Sequence, residues 1–137
     1  MEITETRFSL QEARAMLPLV QSIARELVER RALRWELVRS RRLLEESSSP
    51  EGLVQALSDL DAQILIHTEA IDGAQAELEH LGLTILRLNP LTIHFPGQTK
   101  SGEVVFCWQE GEDSVCFGHP VGHEEDPRRP LKLRSDH

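Results

Sequence analysis

The chain has 137 residues, 39% of them hydrophobic, which sets aside a disordered polypeptide and fits one domain with a core of its own. Aromatic residues make up only 4% and Tyr is missing, so that core has to be aliphatic, a composition suited to interlocking helices. A formal net charge of -8 argues against nucleic acid and anionic membranes as partners, and two cysteines are too few for a disulfide scaffold.

The opening Met1-Glu2-Ile3-Thr4-Glu5 is acidic and lacks the basic-then-apolar order of a signal peptide. No apolar run approaches the ~20 residues needed to span a bilayer. The expectation is a cytoplasmic protein with reduced thiols. Ser9 precedes Glu12 by the spacing of a capping box, in which each side chain bonds the other residue's backbone N–H. From Leu10 to about Glu46 the chain is rich in Leu, Ala, Arg and Glu, all good helix formers, with Pro18 expected to kink or split the run. Ser47-Ser48-Ser49-Pro50 breaks it, with Pro50 suited to the first turn of a second helix that ends at Gly82.

The second helix carries an unbroken heptad seam: Leu53, Leu57, Leu60, Ile64, His67, Ile71, Ala74, Leu78 and Leu81. The first carries Met16, Val20, Ile23, Leu27, Arg30, Arg34, Leu37, Arg41 and Leu44. One antiparallel register pairs Leu44 with Leu53, Leu37 with Leu60, Ile23 with Ala74 and Met16 with Leu81. It also places Arg30 and Arg34 near His67, a polar layer read as a register lock rather than a ligand site. The basic run of the first helix then lies along an acidic second helix, so its arginines are read as paired rather than as a nucleic-acid surface. A second apolar stripe, Leu17, Ala24, Val28, Trp35 and Val38, needs a further cover, either the β region or a second copy of the chain. A homodimer forming a four-helix bundle is the expected answer.

After Gly82 the period changes to two. Leu83–Leu88 reads as a strand turned by Asn89-Pro90, and Leu91–Phe95 as a second that ends at Pro96-Gly97. Glu103–Trp108 reads as a third, and Gly111-Glu112 as a two-residue hairpin turn leading into Ser114–Phe117. That turn sets Cys107 opposite Cys116 and Trp108 opposite Val115. The fold class is therefore α+β: a long antiparallel coiled-coil hairpin (8–82), a small antiparallel sheet (83–119) and an irregular tail (120–137), in a single domain spanning 1–137.

Several short motifs fall in order along the chain: Phe8-Ser9-Leu10-Gln11-Glu12-Ala13-Arg14, Leu17-Pro18, Phe95-Pro96-Gly97, Val105-Phe106-Cys107-Trp108, Gly111-Glu112, Phe117, His119 and Arg129-Pro130-Leu131. Together they resemble the bacterial domain-of-unknown-function family 2203, some members of which carry a division-initiation-like label. The resemblance implies no biochemical activity. It does draw Cys107 and His119 together as family positions with chemical potential. Around them this chain departs from the family: Gly118 stands where a Trp is usual, Pro120 and His94 where acidic residues are usual, and Cys116 is an addition.

Two functional readings follow. The leading one is a non-enzymatic interaction or scaffold protein that self-associates through its helices, binds a protein partner, and has no cofactor or catalytic residue. The alternative is a small zinc-type metal-binding protein with Cys107, Cys116, His119, His94 and His123 as candidate ligands, since thiolate and imidazole are the ligands zinc prefers. Catalysis by Cys107 with His119 as base has no supporting signature in the sequence.

Overall fold

The computed structural model describes residues 7–47 and 51–131. The expectation for Pro50 falls outside them. The order of elements is α1 (Leu10–Ser47), α2 (Leu53–His80), β1 (Thr84–Leu88), β2 (Leu91–Thr99), β3 (Gly102–Gln109), β4 (Phe117–Pro120) and β5 (Arg129–Pro130). The strands form one antiparallel sheet in the order β1-β2-β3-β4-β5, so the α+β class holds. The chain divides into two compact units, Arg25–Ala76 and the remainder on either side of it.

The Arg25–Ala76 unit is a helical hairpin. Within it the seam residues of both helices are buried or half-buried, and Leu27 and Ile71 are buried outright. Polar contacts fix the pairing of the two helices. Arg30 Nη1 lies 3.2 Å from His67 Nδ1, on the register read from the heptads. Arg34 Nε donates to Thr68 Oγ1 at 2.8 Å rather than to the imidazole. Arg41 Nε donates to Asp61 Oδ1 at 2.6 Å across the hairpin, while its Nη1 donates to Glu45 one turn along the same helix. The Arg41–Asp61 ion pair is exposed, so it selects partner and direction more than it stabilises.

In the other unit the start of α1 is closed by the capping box: Glu12 N donates to Ser9 Oγ at 3.0 Å and Ser9 N to Glu12 Oε1 at 2.8 Å. Of the two outcomes expected at Pro18, a split is not found: the helix runs through it as one element. Pro18 is exposed, so water can bond the carbonyl it leaves unpartnered, while Ala13, Leu17 and Val20 are buried around it. The end of α2 is a Schellman motif. Gly82, at φ +93°, turns the chain, with Gly82 N donating to Glu79 O and Leu83 N to Leu78 O. Leu78 and Leu83 are both buried there.

One sheet face carries Ile93, Phe95, Phe106 and Trp108, all buried. Phe8 packs edge-on against Phe95, and Arg14 and Gln21 of α1 donate to the carbonyls of Val115 and Glu112. These contacts place α1 on this face and account for the burial of Leu17 and Ala24. The expected dimer stripe is thereby corrected: Leu17 and Ala24 are covered within the chain, and only Val28, Trp35 and Val38 retain exposure.

β2 does not end at Pro96-Gly97 as expected but runs on to Thr99. Phe8 supplies the reason, since its N donates to Pro96 O and its O accepts from Gln98 N, pairing a stretch that β1 no longer reaches. Gly97 is required there, because a Cβ would lie 2.5 Å from Cε2 of the fully buried Phe106 ring. Gly97→Ala is expected to cost about 1–3 kcal/mol in chemical denaturation, from overpacking. Adding Phe106→Leu to it should recover part of that loss, and a neutral Gly97→Ala would contradict the packing described.

Candidate metal centre

The site lies on the opposite face of the sheet. Residues directly opposite one another in antiparallel strands project to the same side, and side chains alternate along each strand. His94 pairs with Cys107 between β2 and β3, and Val105 pairs with His119 between β3 and β4. Cys107 and Val105 are two apart, so His94, Cys107 and His119 share one face on three adjacent strands. One donor atom of each lies within 4.8 Å of those of the other two, and all three residues are buried. The imidazoles of His94 and His119 have centroids 5.1 Å apart at 54°.

The expected partner of Cys107 is wrong by one residue: Cys107 faces Phe117, not Cys116, and Trp108 does not pair with Val115 in the ladder. A one-residue slip reverses every side chain of a strand, which sends Cys116 to an exposed position while Cys107 stays buried. The cause is the connection between β3 and β4. Gln109 O accepts from Glu112 N around Gly111 at φ +94°, which makes Glu110-Gly111 the centre of the turn rather than Gly111-Glu112. Glu112 O then accepts the Trp108 indole N–H at 2.9 Å and Glu112 Oε1 the Gln109 N–H at 2.8 Å. β4 starts only at Phe117. Gly118 lets it approach β3, since a Cβ would stand 2.8 Å from Val105 O.

His123, the remaining candidate, is exposed and paired with Asp126 at 3.0 Å, outside the buried group. Arg128 was not singled out in the sequence, yet it borders the site. It makes a two-pronged pair with Glu112 at 2.7 and 2.9 Å and lies 4.1 Å over the Phe117 ring. No local motif marks it, because its partners are brought to it by the β4–β5 pairing.

The electrostatics are those of neutral ligands held ready. Burial, and then the neighbouring His119, hold His94 down at about 4. Burial likewise lowers His119, with the carboxylate of Glu124 pulling the other way. Burial raises the Cys107 thiol, and the Arg128 guanidinium partly offsets it. Three ring nitrogens, His94 Nε2 and both nitrogens of His119, are buried with no hydrogen-bond partner. Leaving a buried polar atom unsatisfied costs about 1–3 kcal/mol, so such a group of orphans calls for an occupant. Beside them opens a cleft of about 360 Å³, lined by Arg87, Thr92, Gln109, His119 and Arg128 among others.

Without metal, the folded chain carries neutral imidazoles where the unfolded chain would take up protons. Stability therefore falls as pH drops through 6.5 towards about 4, and the pH dependence from His94 fades out within about one unit above 6.5. In chelator, the loss across that window should be about 2 kcal/mol, and His94→Gln should flatten it.

In comparison with known proteins, residues 6–131 match the family described as an uncharacterized conserved protein (DUF2203). No curated protein and no solved structure matches.

Proposed function

We propose a function for this chain, which belongs to the uncharacterised DUF2203 family, from its own side-chain chemistry: it binds one transition-metal ion, zinc in the first instance, through His94, Cys107 and His119. The observation that carries this reading is the set of buried imidazole nitrogens without partners around a buried thiol. Tetrahedral zinc ligands stand about 3.3–3.7 Å apart for bonds of about 2.0–2.3 Å. The donor atoms here, within 4.8 Å of one another, reach that spacing with a small inward turn of the side chains. Two imidazoles and one thiolate are a borderline-soft set that suits zinc. No methionine is among the residues lining the cleft, which removes the axial thioether of a blue-copper centre.

Three protein ligands leave one coordination position, and a cleft adjoins the triad. That is the arrangement of a catalytic zinc rather than a closed structural one. The chemistry it suits is activation of water for hydrolysis or hydration, with metal-bound water brought towards neutral pKa. Protein purified without a histidine tag should hold one metal ion per chain after reconstitution with zinc. Cys107→Ser and His119→Ala should lose it, and Cys116→Ser should keep it. Metal should also raise the melting temperature of the wild type and not of Cys107→Ser. A wild type that takes up no zinc or cobalt would remove this reading.

A second reading concerns the helical hairpin and is supported by its exposed apolar side chains. Trp35 is 62% exposed, Val54 80% and Ile66 59%, on helices too slender to hide them. We read these as a surface for a second copy of the chain, with the basic α1 of one hairpin facing the acidic α2 of the other. Light scattering should give a dimer at micromolar concentration, and Trp35→Glu should dissociate it. A monomer at high micromolar concentration would count against this second reading and leave the metal site untouched.

A further inference from the structure

The strand β1 contains an irregularity that aims a cation at the proposed centre. Thr84 pairs with His94 and Ile85 with Ile93, but the next pair is Arg87 with Thr92. Leu86 is the extra residue of a β-bulge. In an uninterrupted ladder Leu86 would face Thr92, and Arg87 would project to the side of Leu91 and Ile93, which is apolar core. The bulge reverses this. It turns Arg87 to the face of Thr92, His94 and Cys107, where it lines the cleft. Bulges beside functional sites commonly re-aim one side chain in this way.

Arg87 is also uncommitted. Among the described residues it has no hydrogen bond or ion pair, whereas the other cleft arginine, Arg128, is held by Glu112. The facing wall is acidic, with Glu124, Glu125 and Asp126 lining it, Asp126 beside His123 and Glu124 accepting the Gly122 N–H. Arg87 is thus the cation on the side of the cleft next to β1, across from that acidic wall, so an oxyanion is met on the β1 side. A divalent metal with one thiolate and two neutral imidazoles carries a net charge of about plus one, to which Arg87 adds another.

We propose that Arg87 is the anion-recognising residue of the centre. A small ligand bearing a carboxylate or phosphoryl group enters the cleft with one oxygen towards the open coordination position and a second on the Arg87 guanidinium. The planar fork of Arg matches either oxyanion. Thr92 and Gln109 supply the polar floor, and a volume of about 360 Å³ limits the ligand to a small molecule. This inference rests on the metal reading above, and its test separates the two.

Cobalt-loaded protein is titrated with inorganic phosphate and, separately, with acetate, following the visible ligand-field bands, with metal content measured in every variant. The wild type should show a saturable change with at least one anion, and the tighter of the two identifies the oxyanion class. Arg87→Gln and Arg87→Glu should keep one metal per chain and weaken that anion by about tenfold or more, with Arg87→Lys in between. Full cobalt loading with no response to either anion would overturn the anion site alone. So would Arg87→Gln binding as tightly as the wild type. Failure of the wild type to take up cobalt would overturn both readings.

Discussion

The centre depends on a single ladder position: Cys107 held between His94 on one side and Phe117 on the other. This pairing sets which face each residue of three strands presents. Were β4 to slide by one residue, His119 would move to the opposite side of the sheet and an exposed cysteine would take its neighbourhood. The slide is opposed by Glu112, which bonds the Gln109 N–H, receives the Trp108 indole and grips Arg128. The contacts from Arg14 and Gln21 of α1 fasten the same connection from the core side. A polar network with its members satisfied specifies one arrangement, and here it specifies which imidazole meets the thiol.

The two faces of the sheet divide the work. One is an apolar floor for α1, with Phe8, Phe95 and Phe106 in close fit around a glycine. The other carries buried polar groups that nothing within the described residues satisfies. Stable folds avoid such orphans unless they serve a purpose, and here they converge with a cleft and a redirected arginine. The family match establishes kinship without chemistry, so the chemistry is argued from these side chains.

Much of the helical part was legible from sequence because its determinants are local. The Ser9–Glu12 box and Gly82 each act within a few residues, and the structure has them at those positions, with Arg30 meeting His67 on the register read from the heptads. Cys107, His119 and His94 were legible as candidates by residue type. Their true company was not, because the β3–β4 register is decided by the Trp108 indole and the Glu112 carboxylate, contacts that no turn rule contains. Pro96-Gly97 looked like a strand end because the backbone that bridges it belongs to Phe8, far away in sequence. The bulge at Leu86 left no signal either, since Leu83–Leu88 reads as an ordinary run of strand formers. Leu17 and Ala24 were grouped with Trp35 by helical spacing, but spacing cannot tell a face covered by the chain's own sheet from one left open.

The segment between β4 and β5 has a topological consequence. It leaves the sheet at Pro120 and returns at Arg129, and both ends are anchored, the second by the Arg128–Glu112 pair and by Leu131 N bonded to Cys116 O. It is a hoop rather than a hinged flap, and it cannot swing clear without breaking a strand pairing. A ligand of the proposed centre would then approach the thiol and imidazoles beside the hoop, along the flank of Leu86 and Arg87. Selection by size and by charge would occur at one and the same doorway.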